Sequence, residues 1–260
     1  MNPRAPSSVL PLDARVAVVT GASSGIGAAT ASLLALRGAR VALLARRKHL
    51  LDQQVAAIHA AGGHAMALAV DVTDQGAVDA AARTIAAEFG IVNLVVNNAG
   101  VMLPGPIAEK RVAEWEHMIS LNLTAALRVT GAFVPSLLEA AAEGCPADLV
   151  NVSSIAAQNV YPNFAVYSAT KAATSHLSRH LRVELGAKDV RVCMVEPGIV
   201  ETELQSHFKD QSAIAWLAGT RQTMDWLRAE DVAETIAFTV ALPRHVNVQQ
   251  LTLMPTRQPT

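Results

Sequence analysis

Seven short apolar runs alternate along the chain with longer segments whose apolar residues recur at helical spacing, and Gly, Asn or Asp punctuates nearly every junction. The runs lie at 15–20, 39–45, 64–70, 94–97, 149–152, 190–195 and 248–253, and each is continuously apolar or nearly so. A strand with one wet face would alternate polar and apolar residues; an unbroken run belongs to a strand buried on both faces. Helices between the strands supply that cover and make each connection a right-handed crossover, so the sheet is mostly parallel. The helical patterns occupy 25–37, 48–61, 75–89, 111–142, 165–185 and 230–241, with Gly38, Gly62, Gly90, Gly144 and Gly186 where C-terminal caps belong. The expected fold class is α/β, a seven-stranded doubly wound sheet with helices on both faces.

A chain of 260 residues of this class commonly folds as one domain. Hydrophobic residues at 51% and charged residues at 17% exclude disorder on burial grounds. With 21 basic and 22 acidic side chains the net charge is -1, and the pI of about 6.7 lies far below the value above ~9 typical of nucleic-acid binding. Two cysteines, Cys145 and Cys193, make no disulfide framework and fit a reducing, cytoplasmic setting. Residues 1–13, interrupted by Pro3, Arg4, Pro6, Pro11 and Asp13, lack the apolar stretch of a signal peptide and read as a disordered leader before a single domain at 14–260. The longest apolar stretch, 121–138, is broken by Arg128 and Pro135, so no membrane partner is expected. Weakly polar helix faces point to self-association instead. One segment, about 199–228, shows no convincing strand; it reads equally as a substrate-covering loop or as helices packed on the core.

After the first strand comes Thr20-Gly21-Ala22-Ser23-Ser24-Gly25-Ile26-Gly27, running straight into a helix. Glycines let backbone amides approach an anion, and the helix N-terminus adds about half a positive charge. Such a turn can merely close strand onto helix, but its place after strand one favours the pyrophosphate of a dinucleotide, hence a Rossmann fold. No Lys follows Gly27, which excludes a phosphate loop of the kinase type. At the end of the second strand, Ala45 stands where an acid would receive the ribose of NAD, and Arg46 and Arg47 follow. Charge-assisted bonds to a 2′-phosphate, at roughly 1.5–3 kcal/mol each, amount to about ten- to a hundredfold in affinity. NADP(H) is the expected cofactor; the plainer reading is a solvated basic helix start, which the helix dipole disfavours.

Tyr167 and Lys171 stand four residues apart on the helical segment 165–185, hence on one face. A phenol titrates near pH 10, so acid–base work at neutral pH needs a neighbouring positive charge; lowering it about three units takes roughly 4 kcal/mol. An isolated match of this kind is more often an exposed helical pair. The other tyrosine, Tyr161, has Ala165 four residues on and offers no competing pair.

Taken together, these motifs resemble the short-chain dehydrogenase/reductase family, from Arg15 to about Pro255. The loop 20–27 fits the family's TGxxxGxG pattern, Asp71 and Val72 its adenine-contacting pair, and Asn97-Asn98-Ala99-Gly100 its NNAG segment. Asn122, Ser154, Tyr167 thirteen residues later, and Lys171 match its Asn-Ser-Tyr-Lys tetrad; Pro197, Gly198 and Thr202 match the segment that contacts the nicotinamide. The resemblance implies cofactor contacts at Gly21, Ser23, Ser24, Gly25, Ile26, Gly27, Arg46, Arg47, Asp71, Val72, Asn98, Ala99, Gly100, Tyr167, Lys171, Pro197, Gly198 and Thr202. It also implies that Tyr167 gives a proton to a carbonyl oxygen held by Ser154 as hydride arrives from the nicotinamide, that Lys171 orders the ribose and tunes Tyr167, and that Asn122 holds a relay water. Ser153 adjoins Ser154, but the thirteen-residue spacing selects Ser154. The C-terminal 254–258 is similar to that of bacterial 3-hydroxy acid dehydrogenases and clavulanate dehydrogenase-like members. Members commonly dimerise through the helices at 111–142 and 165–185, which implies a homodimer or homotetramer.

The expected function is an NADP(H)-dependent oxidoreductase interconverting a secondary alcohol and a ketone or aldehyde. Alternatives are an NAD-dependent alcohol dehydrogenase of the same family, or a dinucleotide sensor without chemistry, which would usually have lost the tyrosine or lysine. A dehydratase or epimerase of the longer related group would need a further C-terminal region. His176 and His180 have zinc-compatible spacing but no Glu follows His176 and no third ligand cluster appears, so no catalytic metal is expected. Met102, Leu103, Phe208, Trp216 and Trp226 are the candidates for an apolar substrate pocket.

Overall fold

In the first strand, β1 (Val16–Thr20), Val16 and Val18 enter one core and Ala17 and Val19 the other, the two-sided burial that an unbroken apolar run requires. The structure is a computed structural model that describes residues 12–259. After β1 come α1 (Gly25–Leu36), β2 (Arg40–Ala45), α2 (Lys48–Ala60), β3 (His64–Ala69), α3 (Gln75–Phe89) and β4 (Leu94–Asn97). The second half runs α4 (Val112–Ile119), α5 (Ala125–Ala142), β5 (Ala147–Val152), α6 (Ala165–Gly186), β6 (Val190–Pro197), α7 (Gln211–Thr223), α8 (Ala229–Val240) and β7 (Gln250–Leu253). All seven strands pair in parallel in the order β3-β2-β1-β4-β5-β6-β7. Leu34 of α1, Leu51 and Ile58 of α2 and Ile236 of α8 pack on one face of the sheet. Val78 and Ile85 of α3, Phe133 and Leu137 of α5 and Leu185 of α6 pack on the other.

The sequence reading finds every strand, with differences that have physical causes. β5 begins at Ala147, two residues early, and includes Asp148. That carboxylate is buried because Arg15 and Arg191 both pair with it, Arg191 at 2.7 Å; a charge this deep is tolerated only with partners. The segment 111–142 holds one helical run, Val112–Ala142, that widens into a π-turn at Ser120–Thr124 carrying Asn122 and so divides into α4 and α5. Four of the expected capping glycines, Gly38, Gly62, Gly90 and Gly144, have positive φ. Gly186 instead ends α6, and Asp189, at φ 62°, makes the left-handed turn. The helical run Val112–Ala142 is long and apolar enough to cross a membrane by length and composition, and α5 packs Val129, Phe133 and Leu137 on the sheet. Residues 1–11, most of the expected leader, lie outside the described residues; Leu12, its penultimate residue, is buried in the core.

The segment 199–228 leaves the sheet and returns to it. Glu201 N–H donates to Leu227 O at 2.7 Å and Leu227 N–H to Ile199 O at 3.0 Å, which pins the two ends together. Between them lie a short 3₁₀ turn, Glu203–His207, and α7, whose one buried residue is Ala213. α7 is therefore no core helix. It covers the carboxyl ends of the strands, placing Trp216 and Leu217 over the cavity there.

Candidate active site

Parallel sheets bind ligands where the loops after neighbouring strands diverge. Here β1 lies between β2 and β4, and the following loops leave toward opposite faces. A cavity of about 640 Å³ opens at that point. It is lined by Gly21, Ser23, Ser24, Gly25 and Ile26 after β1, Arg46 and Arg47 after β2, Asp71 and Val72 after β3, and Asn98, Ala99 and Gly100 after β4. Pro197, Gly198 and Thr202 beyond β6, with Ser154, Tyr167 and Lys171, complete the wall. Of the residues expected to bind cofactor or to catalyse, Gly27 and Asn122 are outside this lining.

Gly27 serves the cradle from behind. A Cβ there would overlap the Gly21 carbonyl oxygen, so only glycine lets α1 seat on the loop. A Cβ at Gly21 would come 2.9 Å from Ala99 Cα. Thr20 Oγ1 accepts the N–H groups of Asn98 at 3.0 Å and Ala99 at 3.1 Å, which fixes the β4 loop against the β1 loop. Ser24 precedes α1 without capping it by its side chain. A glycine-bearing loop against a helix N-terminus without a side-chain cap fits the pyrophosphate of a dinucleotide. Asp71 accepts Thr73 N–H at 2.9 Å and Thr73 O–H at 2.7 Å, and these bonds hold its carboxyl below the usual carboxylate range.

Ser154, Tyr167 and Lys171 reach the cavity from the end of β5 and the first turns of α6. Ser154 Oγ accepts Ala156 N–H at 3.1 Å, which aims the hydroxyl from the start of a short 3₁₀ turn. Ser153 turns the other way: its hydroxyl donates to Lys171 O at 3.0 Å and shares a 2.7 Å bond with Ser175. Both serines line the cavity, and Ser153 spends its hydroxyl on α6. Lys171 Nζ donates to Val152 O at 2.9 Å and lies 5.9 Å from the Tyr167 ring centre. Burial pushes the Tyr167 phenol up to about 12, opposed by a hydrogen bond with Ser154. Burial likewise lowers Lys171 to about 8. The phenol is thus protonated at neutral pH, with desolvation the largest influence on it.

Asn122 is buried behind this wall. Its side chain accepts Val101 N–H at 2.8 Å and donates to Val101 O at 2.9 Å and Thr170 Oγ1 at 3.1 Å. Those bonds tie the β4 loop to α6 across the π-turn, a device that recurs at functional sites. A Cβ at Gly100 would come within 3.2 Å of Asn122 Oδ1 and 3.7 Å of Lys171 Nζ, so the three residues converge.

Sequence reasoning missed Glu196. Fully buried at the end of β6, it accepts Ser175 O–H at 2.7 Å, Gln158 at 2.5 Å, Gln250 at 2.7 Å and Thr252 at 3.3 Å. It thereby joins the turn after Ser154, the helix of Lys171 and the edge strand. An acid at the end of a mostly apolar run, directly before Pro197-Gly198, is the signal that could have found it. The expected apolar pocket is also corrected. Met102 and Trp216 line the cavity, whereas Leu103 and Phe208 pack outside its lining and Trp226 lies under the Arg221 guanidinium at 4.0 Å. Tyr161, Phe164 and Leu217 take their place, with Trp216 stacked edgewise on Tyr161 and Phe164 at 5.9 and 5.8 Å. His176 and His180 share a 3.1 Å contact on the exposed side of α6, and among the described residues no third metal-ligand type joins them.

The family model described as short chain dehydrogenase matches residues 15–213. Sulfoacetaldehyde reductase 2 of Chromohalobacter salexigens is 38% identical over 250 residues, 94% of this chain and 95% of that protein. Among solved structures, the closed form of a serine dehydrogenase complexed with NADP+ superposes with a TM-score of 0.86 at 30% identity, covering 94% of this chain and 96% of the other. A 3-ketoacyl-(acyl-carrier-protein) reductase from Brucella melitensis complexed with NADH gives a TM-score of 0.85 at 29% identity, covering 95% and 99%.

Proposed function

From the premise that this chain belongs to the short chain dehydrogenase family and is an oxidoreductase, we propose that it uses NADP(H) to interconvert a secondary alcohol and its ketone, or an alcohol and its aldehyde. The observation that carries this reading is the single cavity with Ser154, Tyr167 and Lys171 on its wall and two arginines on its rim. When bound, the nicotinamide supplies or accepts the hydride. Ser154 holds the substrate oxygen by a hydrogen bond, and the neutral Tyr167 phenol gives that oxygen its proton in the reductive direction. Lys171, anchored on Val152 O, keeps a donor beside the phenol. Arg46 and Arg47, with no acid after β2, are suited to a 2′-phosphate.

The substrate end is apolar and aromatic, with Met102, Tyr161, Phe164, Trp216 and Leu217 on one side and His117 and His207 among the polar groups. A small carbonyl compound with a polar tail suits it. Serine, named for a neighbour of this fold, is itself a 3-hydroxy acid, in line with the resemblance of the C-terminal segment. The experiment is NADPH consumption against a panel of 3-oxo acids and esters, cyclic ketones and short aldehydes, with Tyr167→Phe alongside. At least one carbonyl is expected to be turned over, with a loss of about a hundredfold or more in the variant; a variant as fast as wild type overturns the acid assignment. We further place the protein in a reducing cytoplasm, supported by its unpaired Cys145 and Cys193. It assembles as a homodimer or homotetramer, supported by the exposed Val112, Ile119, Leu127 and Val183 on α4 to α6; a monomeric mass in solution refutes the assembly.

A further inference from the structure

Arg47 is already engaged by an anion of the chain itself. Its Nη2 donates to Glu203 Oε2 at 2.8 Å, to Ser24 Oγ at 2.7 Å and to Ser23 Oγ at 3.1 Å, and its Nε reaches Ser23 Oγ at 3.2 Å. Glu203 opens the 3₁₀ turn Glu203–His207 at the start of the segment that carries α7. Arg47, Ser23 and Ser24 belong to the opposite rim, around the glycine loop. The bridge therefore spans the mouth of the cavity. Beside it the two rims touch, since a Cβ at Gly25 would lie 3.1 Å from Thr202 Cγ2. Glu203 also bonds Ser24, and together with Arg47 this holds its carboxyl below the ordinary range.

A carboxylate between a guanidinium and the Ser24 hydroxyl has a donor set that a phosphate monoester would choose. The two anions compete on unequal terms, because a phosphate carries about −1.5 to −2 at neutral pH against −1 for the acid. An amino group such as Nη2 has two hydrogens, yet it faces three acceptors here, so a phosphate oxygen that takes Nη2 must displace one of them. Ser23 and Ser24 are fixed in the cradle; Glu203 rides on the covering segment and is the acceptor that can leave.

We propose that Glu203 is the residue that sets how sharply this chain distinguishes NADP(H) from NAD(H). Its carboxylate competes with the 2′-phosphate for Arg47 Nη2, so a cofactor whose phosphate takes that nitrogen opens the bridge, whereas one without the phosphate leaves it closed. The inference rests on the reading of Arg47 as a phosphate ligand. Both partners are about half exposed, with side-chain accessibilities of 42% and 53%, and an exposed pair of this kind is worth about two- to fivefold in an equilibrium.

The test is calorimetric binding of NADPH and NADH to the full chain, as wild type, Glu203→Gln and Arg47→Ala. Glutamine keeps the shape and removes the charge. Glu203→Gln is expected to bind NADPH about two- to fivefold more tightly with NADH unchanged, and the gain should shrink in high salt. No gain for NADPH, or an equal gain for both cofactors, overturns the proposal; the second result would mean that Glu203 repels the pyrophosphate common to both. Arg47→Ala separates the two readings. If it leaves NADPH affinity unchanged, the phosphate role of Arg47 falls and this proposal falls with it. If it weakens NADPH alone while Glu203→Gln changes nothing, only the role of Glu203 is lost.

Discussion

The state of Tyr167 decides in which direction the site is ready to work. With its phenol at about 12 in the unliganded protein, the phenolate fraction at neutral pH is on the order of 10⁻⁵. That is the correct form for reducing a carbonyl, since the phenol must donate. Alcohol oxidation needs the phenolate, and bringing the group from about 12 to neutrality takes roughly 7 kcal/mol of differential electrostatics. Lys171, at about 8, is mostly charged at neutral pH. Its Nζ already lies 5.9 Å from the ring centre, so Lys171 is part of the setting in which the phenol stands at about 12. The lowering therefore has to come from a further positive charge, that of an oxidised nicotinamide. Tyrosine titration by ultraviolet difference absorbance tests this, because Tyr161 is the other tyrosine and Tyr167→Phe identifies the signal. The unliganded protein should show no Tyr167 ionisation below about pH 10, and saturating NADP+ should move it down by several units while NADPH moves it much less. A Tyr167 phenolate near neutral pH without cofactor, or the same titration with both cofactor forms, refutes the argument.

Three further outcomes follow from the same geometry. Burial depresses Lys171 from 10.5 to about 8 in the folded state, so charging it costs stability that is recovered as pH rises from about 8 toward 10.5; wild type should gain about 2 kcal/mol between roughly pH 7.5 and 9.5 in urea unfolding, and Lys171→Met, which keeps the stem without the charge, should show no such rise. Glu196→Gln sets a donor against the donors of Gln158, Gln250 and Ser175, and should cost about 1–3 kcal/mol in the same assay; an unchanged midpoint would mean that the buried carboxylate anchors nothing. Gly27→Ala drives a methyl into the Gly21 carbonyl and should weaken NADPH binding at least about tenfold, whereas Gly62→Ala, with nothing within 4 Å of its Cβ but φ at 84°, should cost about 1 kcal/mol of stability and leave binding alone.

The sheet was legible because burying a parallel strand on both faces leaves a mark on every one of its residues, and the glycine loop because close backbone approach admits few alternatives. Single positions were harder wherever the decisive partner lies far along the chain. Asp148 reads as the residue before a strand until Arg15 and Arg191, 133 and 43 residues away, neutralise it inside β5. Asn122 sits in a π-turn that inserts into an otherwise continuous helical periodicity, and a hydrophobic period of 3.6 does not register one wider turn. Trp226 was expected in the pocket on its apolar character alone, yet Arg221 lies over its ring, while Tyr161 and Phe164 reach the cavity from a connection with no periodic signal. The arginine pair shows the limit from the other side. Arg47 was identified as an anion ligand from its place after β2, but the anion it holds in the unliganded chain comes from Glu203, 156 residues later. Local chemistry therefore named the donor, and only the tertiary structure named its competitor. Under the proposal made above, the choice of cofactor depends on the difference between a phosphate and that competitor on the same guanidinium, a property of the cavity mouth of which Arg46 and Arg47 would supply one half.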